Sequence, residues 1–255
     1  MSQALYLDSM RQGLRGERAR LYGEAYDVHR VTAQVSGSVV TTPPLLRGLR
    51  AEFVRTTSKA QIEGALFDAL AYVTSVDARP LFLGDILIGT TTDTGTYCFA
   101  QRRLNKPTIS VRCESYATIK RPQTAIDALG DLPPVGSFVA ETGSSEVNEA
   151  TAAVLTLTNG QYAFSDPATP GLVPAIVPIG VQPTARAMGM HAENEPTSTA
   201  VARFVAYVPP LGIPLRPNDE LEITAGGDTF FVLSPYEAPN AEFVGTTCLV
   251  TREGA

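Results

Sequence analysis

The chain has 255 residues, of which 44% are hydrophobic and 18% are charged. These values are typical of a globular protein long enough for one large domain or two of ordinary size. The net charge of −6 argues against a protein whose whole surface binds nucleic acid. The cysteines, Cys98, Cys113 and Cys248, lack the close spacing of a zinc site, so we expect free thiols in a reducing compartment.

The first segment, Met1 to Tyr22, predicts a helix. Three arginines recur on one side of it at helical spacing: Arg11, Arg15 and Arg18. Four apolar residues fall on another side: Leu7, Met10, Leu14 and Leu21. The arginine side is a candidate contact with an acidic partner or nucleic acid, and a solvated face is the alternative. Because no secretory signal and no apolar run of about 20 residues is present, we expect no membrane anchor.

Strand patterns dominate the next part of the chain. Tyr26 to Val40 alternates imperfectly between apolar and polar residues, and residues 46–55 (LRGLRAEFVR) predict a further strand. Gln61 to Tyr72 carries an apolar stripe that predicts a short helix or, alternatively, a pair of strands. The first half is therefore expected to be mainly β.

Two β-hairpins with glycine-containing turns are predicted at corresponding places in the two halves. Asp85 to Ile88 and Thr96 to Ala100 flank TTTDTG in the first half. In the second half, Glu220 to Thr224 and Thr229 to Leu233 flank AGGD. Hairpins of this kind are the components of small barrels or sandwiches, and periodicity does not choose between these two architectures.

Between these hairpins lie a predicted linker and a third hairpin. Pro122 to Leu132 predicts a short helix that ends at Gly130 and leads into two prolines. Ala152 to Phe164 contains the turn Asn159-Gly160 and predicts a hairpin. Asp166 to Pro183 carries five prolines, which favours extended chain at a sheet edge.

The two halves match each other at an offset of about 135 residues. The matches are Ala71-Tyr72-Val73 with Ala206-Tyr207-Val208, Pro80-Leu81 with Pro214-Leu215, Asp85 with Asp219, Thr96-Tyr97 with Thr229-Phe230, and Thr118-Ile119-Lys120 with Leu249-Val250-Thr251-Arg252. We therefore predict a mainly β protein with two tandem related small β-barrel or β-sandwich domains, an N-terminal helix and few short helices. The predicted segments are an N-terminal arm (1–25), a first β-domain (26–122), a linker (123–135) and a second β-domain (136–255).

Asp85 and Asp219 are the strongest polar match between the halves, so they join Arg11, Arg15 and Arg18 as candidate interaction residues. A purely local role in capping a turn or entering a strand is the alternative for both aspartates.

Few residues suggest catalysis. His29 lies in a strand pattern without a nearby serine or cysteine, and His191, Glu193 and Glu195 form an H-x-E-x-E pattern in a loop-like region. That pattern could hold a metal ion in an extended strand, but the loop-like surroundings and Pro196 favour a solvated acidic loop. No phosphate-binding loop, dinucleotide fingerprint, nucleophile elbow or zinc-protease motif is present. We predict no enzymatic activity, no cofactor and no metal.

Several short motifs follow one another along the first half of the chain. They are Gly84-Asp85, Tyr97-Cys98-Phe99, Lys106-Pro107, Val111-Arg112-Cys113 and Arg121-Pro122, with the N-terminal helix followed by Tyr26-Asp27-Val28-His29-Arg30. In these features the first half resembles small virion proteins of tailed bacteriophages. The second copy lacks the Cys-to-Arg-Pro ending in that spacing. The resemblance implies a structural role in the virion, at the neck between head and tail or in the tail tube or baseplate.

Proteins of this kind are β-barrels that assemble as rings or trimers, so the resemblance implies partners among copies of the chain and neighbouring neck or tail proteins. DNA or tape-measure protein passing through the lumen are further candidate partners. Two related domains in one chain would let three chains match the sixfold symmetry expected of such a tail. The alternatives are a carbohydrate- or host-surface-binding module of the tail, which the absence of tryptophan disfavours, and a tail hydrolase that uses His191 and nearby carboxylates.

Overall fold

The protein is mainly β and consists of two closed six-stranded barrels preceded by one N-terminal helix. The computed structural model describes residues 3–30, 34–36, 39–55, 70–91, 95–102, 108–122, 152–183, 203–236 and 244–252. Among these residues, no helix is both long enough and apolar enough to cross a membrane. The predicted fold class is confirmed, and both domains are barrels, which was one of the two predicted architectures.

The helix and the first barrel come from the first 112 residues. Helix α1 spans Gln3–Tyr22, and eight strands follow: β1 Glu24–His29, β2 Val35–Ser36, β3 Val39–Val40, β4 Leu46–Arg55, β5 Ala71–Val76, β6 Ile86–Gly89, β7 Thr96–Gln101 and β8 Thr108–Arg112. The barrel closes in the order β1-β4-β5-β8-β7-β6, and β2 and β3 form a separate small hairpin. Tyr72, in the predicted helix over 61–72, lies in β5, and residues 56–69 lie outside the described part of the chain.

The second barrel uses the remaining strands: β9 Ser115–Pro122, β10 Ala152–Thr158, β11 Gln161–Ser165, β12 Ile176–Pro183, β13 Arg203–Val208, β14 Glu220–Ile223, β15 Thr229–Tyr236 and β16 Thr246–Arg252. Its order is β9-β12-β13-β16-β15-β14, and the β10–β11 hairpin extends the sheet from the end of β9. β12 is a barrel strand, so the prediction of a sheet edge there is wrong. Pro178 is tolerated because it pairs only with β9, since pairing of β12 with β13 begins at Gly180.

Helix α1 ends where the chain turns into the first barrel. The amide of Gly23 donates to the carbonyl oxygen of Ala19 at 2.8 Å. A Cβ atom at position 23 would lie 2.4 Å from that oxygen and 2.8 Å from the backbone of Ala51, so only glycine fits this close approach. The helix is thereby held against the outer surface of β4 and β5.

The two barrels have the same strand order and the same register between neighbouring strands. In the first barrel, cross-strand partners run Ile86, Cys98, Val111, Ala71 across β6, β7, β8 and β5. In the second barrel, the corresponding partners run Glu220, Phe231, Thr251, Arg203 across β14, β15, β16 and β13. A β-bulge lies at the same point in each, between Phe99 and Gln101 and between Val232 and Ser234. Both barrels also carry a hairpin between their first and second strands.

This register corrects two of the sequence matches. Ala71-Tyr72-Val73 corresponds to Arg203-Phe204-Val205, so the predicted match with Ala206-Tyr207-Val208 is wrong by three residues. An odd shift exchanges the two faces of a strand. Tyr72 packs with Tyr97 at 5.4 Å inside the first barrel, and its true counterpart Phe204 packs with Phe230 at 5.2 Å inside the second.

The second correction concerns the end of the repeat. β16 pairs with β13 and β15 as β8 pairs with β5 and β7, so β16 corresponds to β8 and not to the segment Thr118-Ile119-Lys120. That segment lies in β9, which corresponds to β1 and pairs only with strands of the second barrel. In the described chain one barrel therefore gives way to the next between Arg112 and Ser115, ahead of the predicted boundary at 122. The predicted linker, 123–135, lies outside the described residues.

The two barrels pack directly against each other. The outer face of β5 to β8 forms a buried cluster with β13 of the second barrel: Leu70, Ala71, Ile86, Cys98, Ala100, Ile109, Val111, Cys113, Val205 and Tyr207. We call this the inter-barrel cluster. Tyr207 donates its hydroxyl to the carbonyl oxygen of Val244 at 3.0 Å and lies 3.2 Å from Sγ of Cys98. The amide of Val244 in turn donates to the carbonyl oxygen of Ala100 at 2.9 Å.

Candidate functional site

Asp85 and Asp219 occupy the same position in the two barrels and do not form one site. Each carboxylate accepts a hydrogen bond from the amide three residues earlier, Phe82 at 2.9 Å and Arg216 at 2.8 Å. Each backbone carbonyl accepts from the residue before the bulge, Phe99 or Val232, at 2.8 Å. The aspartates therefore close the turn that leads into β6 or β14, which is the local role that the sequence left open.

Each aspartate also faces an arginine that the sequence comparison missed. Arg121 of β9 donates to both carboxylate oxygens of Asp219 at 2.8 Å, through Nε and Nη2. In the first barrel, Nε of Arg30 lies 3.2 Å from Oδ1 of Asp85. Arg30 and Arg121 correspond in register, since His29 pairs with Ile86 as Lys120 pairs with Glu220. Their separation in sequence differs from that of the aspartates, so a search at constant offset does not find them.

The two Arg–Asp pairs differ in how completely they are enclosed. Arg121 is 18% exposed, donates also to the carbonyl oxygen of Pro214, and lies 3.8 Å from the ring centre of Phe164 in the β10–β11 hairpin. Arg30 is 41% exposed and lies 4.5 Å from the ring centre of Phe82 in its own barrel. The second barrel therefore has a tight bidentate pair, and the first barrel has a looser one.

In the looser pair, the carboxylate of Asp85 is buried without a full set of hydrogen bonds from the part of the chain that the structure describes, which is energetically unfavourable. Its side chain is fully buried, and Oδ1 has no hydrogen-bond donor among the described residues. Burial raises the pKa of Asp85, against the opposing effects of the Phe82 amide and the Arg30 charge. A carboxylate held in this way by a backbone amide and an arginine stabilises a turn.

The candidate arginines of α1 point largely towards the first barrel. Arg18 donates to Glu52 of β4 at 2.9 Å through Nη2, and Nη1 of Arg15 donates to the Thr108 hydroxyl at 3.3 Å. Arg11 is exposed. The ion pair with Arg18 lowers the pKa of Glu52. Since Arg18 is more than half exposed, we expect this pair to contribute little to stability.

The apolar side of α1 is the side that faces solvent. Met10 is 51% exposed, Leu14 is 69% exposed and Leu21 is 65% exposed. The sequence placed arginines and apolar residues on different sides of the helix, and the structure places the apolar side outwards. This inversion makes α1 the clearest exposed apolar surface among the described residues.

The remaining candidates that lie in the described part of the chain form no reactive constellation. The three cysteines are free and buried, as predicted, and burial raises the pKa of Cys98 and Cys248 to about 12. No group of three metal-binding side chains occurs among the described residues. His191, Glu193 and Glu195 lie outside the described part of the chain.

His29 is buried at the end of β1, and Nδ1 has no hydrogen-bond partner within the described ranges. Burial lowers the pKa of His29, with an opposing effect from Asp27. Because the unfolded chain then binds a proton near pH 6.5 that the folded chain does not, stability falls as pH falls through that value.

We therefore expect urea unfolding of the protein to give a smaller free energy at pH 5.5 than at pH 7.5, with His29 contributing less than about 1.4 kcal/mol per pH unit. The variant His29→Gln should lose that part of the difference, and His191→Gln serves as the matched control. Equal pH dependence in His29→Gln and the original chain would contradict a buried neutral histidine.

No protein-family model, no curated protein and no solved structure matches this chain.

Proposed function

We propose that this chain is a structural subunit of the tailed-bacteriophage virion, which assembles as a ring or trimer at the head-tail interface or in the tail tube or baseplate. Its partners would be other copies of itself and the neighbouring neck or tail proteins. This proposal extends the resemblance of Gly84-Asp85 to Arg121-Pro122 to small virion proteins of this class.

The observation that carries the proposal is the repetition of one barrel within one chain. Strand order, register, bulge and Arg–Asp pair all recur, and the two barrels share a buried apolar interface. A chain of this kind presents two similar outer surfaces in a fixed relation, so three chains can line a ring of six similar barrels. The buried groups described above serve packing and turn closure, which favours a scaffold over an enzyme.

A surface-binding module is favoured by no comparable observation. Among the residues that the structure describes, two aromatic side chains are well exposed, Tyr22 and Phe82. They precede β1 and β6, which are antiparallel, so they lie at opposite ends of the first barrel. They therefore do not form one stacking platform of the kind that sugar binding uses.

The mass of the purified protein in solution tests the proposal. Light scattering over a range of concentrations is expected to give a multiple of three chains of 27.1 kDa each. Mass spectrometry of purified particles of the encoding phage should find the chain in the virion. A single-chain mass at every concentration, together with absence from the particles, would exclude the structural role.

A further inference from the structure

We propose that α1 of one copy docks on the outer face of β14, β15 and β16 of a second copy, in a head-to-tail contact. The inference rests on the proposed self-assembly and specifies which two surfaces meet. The repeat supports this contact. The second barrel covers the outer face of β6 to β8 in the first barrel, whereas the corresponding face of the second barrel is partly exposed.

In the first barrel the second barrel covers most of this face. Ile86, Cys98, Ala100, Ile109 and Val111 are at most 2% exposed, because the second barrel lies on them through Val205 and Tyr207 of β13. At three of the five corresponding positions the second barrel also carries apolar side chains, whereas Glu220 stands at the position of Ile86 and Thr251 at that of Val111. Phe231 stands at the position of Cys98, Leu233 at that of Ala100 and Leu249 at that of Ile109.

These three apolar side chains are only half-buried: Phe231, Leu233 and Leu249. Their neighbours towards the barrel interior, Phe230, Val232 and Val250, are buried. The outer face of β15 and β16 therefore carries partly exposed apolar side chains at the place where the sister barrel contacts its neighbour. Contiguous apolar surface of this kind marks interaction sites.

Helix α1 lies at the matching position on the first barrel. It packs over β4 and β5, where Glu52 contacts both Arg18 and Ser75. Ser75 corresponds in register to Tyr207, the residue through which the second barrel meets the first. α1 therefore covers the surface of the first barrel that corresponds to the contact surface of the second barrel. Met10, Leu14 and Leu21 extend outwards from α1. The second barrel of another copy would meet these three side chains if it bound in the way that the first barrel binds the second.

The charges of the two surfaces are complementary. Arg11 and Arg18 of α1 have exposed side chains, and Arg18 also pairs with Glu52 of its own barrel, whereas the chain as a whole has a net charge of −6. The outer face of β14 carries Glu220 and Glu222, with Lys120 of β9 beside Glu222 at 3.2 Å. Two α1 helices would instead bring like charges together. This favours a heterologous contact between helix and sheet, which can close into a ring.

Charge placed on the exposed side of α1 should abolish assembly without unfolding the chain. We expect Leu14→Glu to shift the mass by light scattering from the assembly to a single chain, with the circular dichroism spectrum of the folded chain retained. Phe231→Glu on the other surface should do the same. Val173→Glu is the matched control and should assemble normally. Val173 is 77% exposed and lies in the loop between β11 and β12, outside the two proposed contact surfaces.

Mixing the two variants distinguishes a helix–sheet contact from a helix–helix contact. Leu14→Glu keeps an intact sheet face and Phe231→Glu keeps an intact helix, so the mixture should form a complex of one chain of each that cannot grow. If α1 paired with α1, Phe231→Glu alone would assemble fully and no mixed complex would form, and the proposal would be wrong.

A photo-crosslinking residue at position 14 gives a second measurement that does not depend on the folding of Phe231→Glu. Crosslinks are expected to residues 220–252 of another copy. Normal assembly of Leu14→Glu, or crosslinks elsewhere, would overturn this contact while leaving self-assembly intact. A chain that is monomeric without any substitution would instead remove the proposed function.

Discussion

Replacing Asp219 by alanine is expected to lower the free energy of unfolding by about 3–5 kcal/mol, because it leaves the largely buried guanidinium of Arg121 without its partner. Asp219 is almost fully buried and accepts three hydrogen bonds, two from Arg121 and one from the Arg216 amide. Phe164 and the carbonyl oxygen of Pro214 keep the arginine in place, so it cannot move freely into water. Urea unfolding followed by circular dichroism measures the loss.

Asp85→Ala is the matched control, because it removes the same residue from the same position of the sister barrel. Arg30 is more exposed and makes no hydrogen bond to Oδ1, so the expected loss is only about 1–2 kcal/mol, mainly from the unpaired Phe82 amide. The double variant Asp219→Ala/Arg121→Met should recover part of the stability, because it also removes the guanidinium charge that Asp219→Ala leaves unpaired. Equal losses for the two aspartates would show that the enclosure of the pair does not matter.

Replacing Tyr207 by alanine is expected to cost about 3–5 kcal/mol and to separate the unfolding of the two barrels into two transitions. Tyr207 is fully buried and lies in the inter-barrel cluster with Cys98 of the other barrel. A cavity at this point removes packing from both barrels at once. Calorimetry detects the loss of cooperativity as a calorimetric enthalpy larger than the van't Hoff enthalpy.

Tyr207→Phe separates packing from hydrogen bonding at the same position. The ring remains, and the hydrogen bond to Val244 is lost, so we expect a cost of about 1 kcal/mol and a single transition. If Tyr207→Ala also unfolded in one transition with a small loss, the inter-barrel cluster would not couple the barrels.

Local sequence patterns predicted most individual elements. The strand at residues 46–55 and the hairpin turn at Asn159-Gly160 lie where periodicity and turn residues placed them. Alternation along a strand depends on neighbours in the sequence, so it can be read without knowledge of the fold. The duplication could be recognised for the same reason, because the segment from Pro80 to Tyr97 keeps its spacing.

Pairing between distant strands could not be predicted in this way. The Ala-Tyr-Val triplet occurs twice, but Tyr72 faces a barrel interior and Tyr207 faces the other barrel. Arg30 and Arg121 were missed because the chain between β9 and β12 is longer than the chain between β1 and β4, which changes the spacing to each aspartate. The orientation of the two tyrosines and the pairing of the two arginines are set by strands that are distant in sequence, so local propensity does not predict them.

By itself, the sequence determined that this protein is β-rich, begins with a helix and contains one unit twice, since these properties follow from alternation, helical spacing and repeated turn residues. Only the tertiary structure decided that β9 joins the second barrel, that each aspartate has its own arginine, and that the apolar side of α1 faces outwards. The physical reason is that strand closure and burial are set by contacts between residues about a hundred positions apart, which leave no periodic signal along the chain.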